Sequence, residues 1–206
     1  MTGVSLKHYG VWALASLLAI CIPVSAAARP ASSGSDTDRQ FRHVVLGMHN
    51  AERAVRKVPA LAWDKDLAAS AHQHASYLAQ RGILQHGSQR GSQKPFGENL
   101  WIGTRGAFSV EDMIGMFLDE RRYFTERAVP DISTTGYWKD AGHYSQIVWR
   151  STTRVGCGVG SGPDFDVLVC RYDPAGNVWG QTASGGDPAK KRRVRLASNG
   201  ETTNLR

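Results

Sequence analysis

Cysteine is scarce in this chain, which has three in 206 residues, at positions 21, 157 and 170. None of them forms a CxxC pair or a Cys/His zinc-finger spacing, and no HExxH motif occurs. These absences exclude a dithiol redox centre, a structural zinc finger and an HExxH-type metalloprotease. Long apolar runs are also missing: the longest, Val11 to Ile22, has twelve residues. A helix of that length cannot cross the roughly 30 Å hydrocarbon core of a membrane.

Negative charge is in deficit, but the imbalance lies mostly at the ends of the chain. The formal net charge is +7, of which the first 28 residues carry +1 and the tail from Gln181 carries +4. Residues 29–180 therefore carry only +2 and show no clustered basic stripe. A nucleic-acid-binding domain would show such a stripe, so nucleic acid is excluded as a partner.

The N-terminus has the pattern of an export signal over residues 1–28. Lys7 precedes the apolar run, Pro23 ends it, and Ala26 to Ala28 provide small residues for cleavage. A polar linker over 29–37 follows, and the mature protein is expected to be secreted, either extracellular or periplasmic. Cleavage removes Cys21 and leaves Cys157 and Cys170, whose pairing an oxidising compartment favours; two buried free thiols are the alternative.

Hydrophobic periodicity predicts helices first and strands last. Helices are predicted over 38–57 and 65–81, the second capped by Asp64 and ended by Gly82. The predicted inner face of the first helix comprises Phe41, Val44, Val45, Met48, Ala51 and Val55.

The second half of the chain contains a third helix and three β-like runs. The helix is predicted to begin at Ser109, which forms a capping-box pattern with Asp112. Residues 86–97 are predicted to be a loop. The β-like runs are 143–150, 154–159 and 166–172, and the last two are joined by a hairpin connection at 161–164.

This order of elements predicts one α+β domain over residues 38–181 with a layered architecture. From Thr182 to Arg206 the sequence has no periodicity, and a disordered basic tail is predicted there. Its stretch Lys190 to Arg195 is either a solvated tail or an electrostatic contact with an anionic envelope surface.

Four polar residues are candidates for chemistry, each with a structural alternative. Helical spacing places Glu120 on the core face, where a buried carboxylate needs a partner; a helix-edge glutamate that reaches water is equally compatible. Strand alternation over 143–150 places His143 on one face with Ile147, where a satisfied core histidine is the alternative. His86 and Glu98 flank the glycine-rich loop, where polar side chains are usually solvated.

Two long motifs resemble the signatures of the CAP superfamily, which includes cysteine-rich secretory proteins, venom antigens and plant pathogenesis-related proteins. They are the runs Gly142 to Thr152 (GHYSQIVWRST) and Leu168 to Val178 (LVCRYDPAGNV). Shorter matches occur in family order at His49-Asn50 with Arg53, Leu61 to Asp64, Gly97 to Leu100 and Gly156 to Gly158. Together they cover roughly residues 40–180, so the chain is identified as a single-domain, secreted member of bacterial type.

The resemblance implies a three-layer α-β-α sandwich with a central antiparallel sheet. It also implies a cleft lined by His86, Glu98, Glu120 and His143, which Asn99, Tyr144 and Gln146 support or flank, and a Cys157–Cys170 disulfide. The other family cysteines and the extra cysteine-rich module are absent, so channel or toxin roles tied to that module do not carry over.

Two histidines facing one cleft suit zinc or another divalent cation, with His86 and His143 as ligands and the glutamates as their hydrogen-bond partners. A hydrogen-bonded polar network without metal is the alternative. Two functions follow: a binding domain for a lipid, sterol, glycan or protein, or a metal-dependent hydrolase with Glu98 and Glu120 as catalytic candidates. The binding domain is preferred, because neither a nucleophile nor a complete catalytic zinc set is visible.

Export can be tested on the protein recovered from the secreting cell. Intact-mass spectrometry should find a mature chain beginning near Arg29, because Ala26 to Ala28 form the cleavage region. Soluble exported protein that still carries Met1 would contradict the prediction.

Overall fold

The structure is a computed structural model that describes residues 34–88 and 95–185, with side chains from residue 36. The predicted export signal and the basic stretch Lys190 to Arg195 lie outside the described residues. In the described ranges no helix is both long and apolar enough to cross a membrane. Four helices and four strands form the framework: α1 (Gly34–Val55), β1 (Ala62–Trp63), α2 (Lys65–Arg81), β2 (Gly97–Thr104), α3 (Val110–Asp119), α4 (Gly142–Ile147), β3 (Arg154–Ser161) and β4 (Phe165–Asp173).

The strands form one sheet in the order β1-β3-β4-β2. β4 pairs antiparallel with both β3 and β2, and the two residues of β1 pair parallel with Arg154 and Val155. Cys157 lies directly opposite Cys170 in the β3–β4 ladder, and the two form a disulfide across 13 positions of sequence. The central antiparallel sheet and the disulfide are therefore both present.

Each face of the sheet has its own apolar core, which makes the architecture a three-layer α-β-α sandwich. Side chains alternate along β4, so Val167 and Val169 pack with α2 while Leu168, Cys170 and Tyr172 face the other helices. On that second face α1, α3 and α4 cover the sheet, with Val45, Ile114 and Ile147 fully buried.

Helix α2 lies very close to β3, because β3 presents glycine to it at alternate positions. A Cβ atom at Gly156 would overlap the backbone of Ala68, and one at Gly160 would overlap the backbone of Ala75 and Ser76. The helix therefore packs backbone against backbone along this strand, which larger residues would prevent.

Helix predictions were confirmed for α2 and α3. Helix α2 spans the predicted 65–81, with Asp64 accepting from the Asp66 and Leu67 amides and Gly82 in the left-handed conformation at φ 61°. Helix α3 has the predicted capping box between Ser109 and Asp112. The hairpin strands β3 and β4 extend the predicted runs by one or two residues.

The predicted strand over 143–150 was wrong, since its first part is helix α4. Apolar residues alternate there with polar ones that the fold buries as well: Tyr144, Ser145 and Gln146 are all nearly inaccessible. When both faces are buried, alternation no longer distinguishes a strand from a short helix. Conversely, β2 begins at Gly97, inside the predicted loop, and its continuation to Thr104 had not been assigned an element.

Both ends of α1, the start of the predicted tail and the orientation of one α1 side chain also differ from the prediction. Helix α1 begins at 34 rather than 38, inside the predicted linker, and ends at 55 rather than 57. Val55, predicted to face inward, is 70% exposed. Thr182 and Ala183, assigned to the tail, are buried, and the Arg150 amide donates to the Ala183 carbonyl at 2.8 Å.

The close approach of α2 to β3 can be tested by Gly160→Ala. The added methyl group would overlap the α2 backbone, so we expect a loss of about 1–3 kcal/mol in the free energy of unfolding. Gly115→Ala is the matched control, because nothing lies within 4 Å of its Cβ position on α3; it should leave stability unchanged or raise it by up to about 1 kcal/mol. Equal urea midpoints for both variants would contradict the packing argument.

Candidate functional site

The first histidine–glutamate pair joins the end of α3 to the start of α4. Glu120 follows the last residue of α3, and its Oε1 accepts from His143 Nδ1 at 2.5 Å. Its Oε2 accepts from the backbone amides of His143 at 2.8 Å and Tyr144 at 3.1 Å. The His143 ring also stacks on Phe117, with 4.7 Å between ring centroids. Three hydrogen-bond donors thus hold Glu120, which is not the helix-edge glutamate reaching water that the sequence also allowed.

The second pair lies at the start of β2. Glu98 Oε1 accepts from His86 Nδ1 at 3.0 Å and from the Gly87 amide at 2.9 Å, and Oε2 accepts from Arg171 Nε at 3.1 Å. The Glu98 side chain is 2% exposed whereas the His86 side chain is 68% exposed. Burial alone would raise the pKa of Glu98, but the donors His86, Gly87 and Arg171 together lower it below its usual value. The buried carboxylate is therefore ionised and paired.

These two pairs approach β2 from opposite faces of the sheet. Glu98 and Asn99 are consecutive residues of one strand, so their side chains point to opposite faces. Glu98 contacts the segment that follows α2, while the Asn99 amide donates to the His143 carbonyl at 3.1 Å. Strand β2 is at the edge of the sheet, so the two pairs lie on either side of this edge, near the first residues of β2.

A directional chain of hydrogen bonds links Asn99 to α1. Asn99 Nδ2 donates to the Tyr172 hydroxyl at 3.2 Å, and that hydroxyl lies 2.9 Å from His49 Nε2. His49 Nδ1 in turn donates to the Val45 carbonyl at 2.8 Å. Burial lowers the pKa of His49 from 6.5 to about 4, so its ring is neutral and its Nε2 accepts from Tyr172.

Glu52 on α1 braces both elements of the Glu120–His143 pair. Its Oε1 accepts from the Tyr144 hydroxyl at 2.7 Å, and its Oε2 accepts from Arg121 Nη1 at 3.0 Å. Arg121 follows Glu120 in sequence and Tyr144 follows His143, so one buried carboxylate fixes the neighbours of both site residues.

Tyr144 and Gln146 are buried residues of α4 that fix this helix, and with it His143, against the domain. Tyr144 is fully buried and points toward Glu52. Gln146 Oε1 accepts from the Gly176 amide at 2.8 Å, and its Nε2 donates to the Thr152 hydroxyl at 3.2 Å. A side chain at Gly97 would collide with Gln146, so a glycine at the start of β2 lets α4 approach the sheet.

Sequence reasoning missed His49, Glu52 and Arg171 as parts of this network. A usable signal existed: Val45, His49 and Glu52 continue one helical stripe, whereas Ala51 and Val55 do not. The polar residues of that stripe are buried, whereas the apolar residues Ala51 and Val55 beside it are exposed. Arg171 gives no comparable signal, because its partner Glu98, which flanks the predicted loop over 86–97, lies 73 positions away in sequence.

As a metal site, the arrangement offers two imidazole nitrogens. In each pair Nδ1 is bonded to a carboxylate, and Nε2 has no partner among the described residues. Carboxylate–histidine pairs of this form orient metal-binding imidazoles in proteins. The described residues contain no group of three or more His, Cys, Asp and Glu side chains placed to hold an ion. A metal at these imidazoles would therefore have at most two ligands from the described residues and would keep open positions.

The fold and the paired site define an α-β-α sandwich with two carboxylate–histidine pairs at one sheet edge. A family model described as "CAP: Cysteine-rich secretory protein family" matches residues 46–172. The chain belongs to this family.

Individual relatives agree with that assignment. Pathogenesis-related protein 1B of Nicotiana tabacum is 37% identical over 138 residues, which is 66% of this chain and 77% of the relative. Pathogenesis-related protein 1A of the same plant is 34% identical over 170 residues, 82% of this chain and 91% of the relative. The solved structure "Crystal structure of NaASP2 with Zn2+" has a similar fold, with a TM-score of 0.58 at 21% identity over 74% of this chain and 89% of that one.

The neutral state of His49 predicts a loss of stability in acid. The unfolded chain binds this proton near pH 6.5, whereas the folded chain resists it until about pH 4. The contribution is therefore complete above pH 6.5 and is lost as pH falls toward 4, by up to about 3 kcal/mol. His49→Gln retains a donor and an acceptor but cannot titrate, so its unfolding free energy should fall less over this range. Urea unfolding at several pH values measures the difference, with the exposed His43→Gln as control; identical pH profiles for His49→Gln and the unsubstituted protein would refute this role.

Proposed function

We propose that this chain is an exported binding domain whose two histidines hold a divalent cation, with zinc as the first candidate. The observation that carries the proposal is the repeated geometry of the pairs. In both His86 and His143 the Nδ1 atom is committed to a glutamate, and this leaves Nε2 as the available nitrogen. Neutral imidazole is a preferred ligand for zinc.

The cation would be held with modest affinity and open coordination positions. Those positions would be filled by water or by an anionic or polar group of a ligand, such as a lipid headgroup, a glycan or a protein side chain. His86 is mostly exposed, so the ligand-facing side of the site would be accessible from solvent. The metal would then recruit a ligand to the sheet edge without performing chemistry on it.

Binding fits the glutamates better than hydrolysis does. Glu98 accepts from three protein groups, one of them the charged Arg171, and this holds its pKa low. Glu120 also accepts from three donors. A general base needs a lone pair directed at the attacking water, and three protein donors occupy most of the acceptor positions of each carboxylate. Both carboxylates act instead as fixed partners of the imidazoles.

Zinc titration by calorimetry tests the proposal. Zinc should bind the unsubstituted protein at neutral pH and bind more weakly on acidification, because protons compete for the same nitrogens. His143→Ala should abolish binding. Glu120→Gln should weaken it by less, roughly 10–100-fold, because Glu120 orients the ligand rather than binding the metal.

The exposed His43→Ala serves as the matched control and should bind zinc normally. Zinc uptake that persists after His86 and His143 are both replaced would overturn the assignment. If no specific uptake occurs at all, the pairs are structural. In that case His143→Ala should cost about 1–3 kcal/mol of stability by leaving Glu120 without its partner.

A further inference from the structure

Strand β3 has an open edge beside α1 and α2. β1 covers this edge only at Arg154 and Val155, because the chain turns into α2 at Lys65. From Cys157 to Ser161 no other strand of the described sheet lies alongside. An open edge presents backbone N–H and C=O groups that can pair with another chain.

The orientation of these backbone groups follows from their neighbours. The Val155 carbonyl accepts from the Asp64 amide at 2.9 Å, so it points away from β4. Carbonyls two residues apart on a strand point the same way, so those of Cys157, Val159 and Ser161 also face the open edge. His72 Nδ1 donates to the Val159 carbonyl at 2.8 Å, and Gln80 Nε2 donates to the Ser161 carbonyl at 3.1 Å.

Cys157 is the exception on this edge. Its edge-facing N–H and C=O have no partner among the described residues, although the residue is only 2% exposed. Buried backbone groups without partners are costly and rare. Cys157 and Val159 both line the groove beside this edge, so the donor and acceptor of Cys157 and the N–H of Val159 lie next to a space that a complementary backbone from outside the domain can enter.

The edge forms the floor of a groove of about 860 Å³. Its apolar lining comprises Val159 of β3 together with Phe41 and Trp63, whose rings meet edge to face with 6.2 Å between centroids. The charged lining residues are the cations Arg39, Arg42 and Lys65 and the anion Asp38. Arg39 pairs with Asp36 at 3.0 Å, so Arg42 and Lys65 are the lining cations without an ion pair among the described residues. In an extended peptide, alternate side chains point to opposite sides. A peptide with apolar side chains on one side and acidic side chains on the other would match this apolar and cationic lining.

We propose that the open edge of β3 binds an extended acidic peptide of a partner protein as an added strand. The peptide continues the line of β1 and pairs with Cys157 and the Val159 amide. An apolar side chain packs on Phe41 and Trp63, and acidic side chains face Arg42 and Lys65. This surface involves none of the residues of the two histidine–glutamate pairs.

Backbone-modified peptides test the mode of binding. The probe is a heptapeptide of alternating Glu and Val, acetylated and amidated at its ends. Two further versions are N-methylated on the Glu nitrogens only or on the Val nitrogens only. Because successive N–H groups of a strand point to opposite sides, one methylated version should lose binding roughly tenfold or more while the other retains it.

NMR titration of the exported protein locates the contact. The amide signals of Cys157 and Val159 should shift and exchange more slowly with solvent when the unmodified probe binds. The double variant Arg42→Glu/Lys65→Glu should weaken binding roughly tenfold, whereas Arg105→Glu, an exposed cation outside the groove, should not.

Three results would overturn the proposal. The first is that both methylated probes bind as well as the parent, which indicates a purely electrostatic or apolar site. The second is that no saturable binding occurs, or that the shifted amides lie away from residues 157–161. The third is that the same amides shift with protein concentration alone, which assigns the edge to a second copy of this chain.

Discussion

The polar inner face of α1 is the constraint on which the rest of this domain depends. Arg53 is fully buried, and its guanidinium donates to the carbonyls of Pro59, Ile147, Trp149 and Thr152 at 2.6 to 2.9 Å. Burial lowers its pKa from 12.5 to about 10, so the group remains charged and must be satisfied. Three of those carbonyls lie between the end of α4 and the start of β3 and the fourth follows α1, so one guanidinium fixes α1 against the segment that joins α4 to β3.

The same helix face positions the site. His49 reaches the His143 carbonyl through Tyr172 and Asn99, and Glu52 holds the residues that follow Glu120 and His143. In a low-dielectric interior, a partly satisfied network costs more than an apolar core would. The Glu120–His143 pair is therefore held by a network that tolerates little displacement.

Strand β3 has a closely packed face and an open edge, and these have different causes. The alternate glycines bring α2 against the backbone of β3 and seal one face. The brevity of β1 leaves the edge of the same strand open, with His72 and Gln80 satisfying two of its carbonyls. The groove of about 860 Å³ thus arises from the start of α2 at Lys65, directly after a two-residue strand.

Local sequence alone determined those elements whose signals are themselves local. Asp64 and Gly82 delimit α2, and the capping box at Ser109 begins α3, because helix caps depend on side chains within three or four residues. The two long motifs and the shorter matches predicted the family, and the four residues of the pairs were predicted as what that resemblance implies.

Tertiary structure alone decided which residues meet and what each segment becomes. Gly142–Ile147 forms a helix although its pattern alternates like a strand, because both of its faces are buried and alternation then carries no information. Glu98 is buried, contrary to its expected solvation, because Arg171 from the neighbouring strand β4 neutralises it. The helical stripe of α1 indicates that His49 and Glu52 face inward, but it does not give their partners, which, like those of Arg53, are mostly distant in sequence. No local pattern records those partners until the chain has folded.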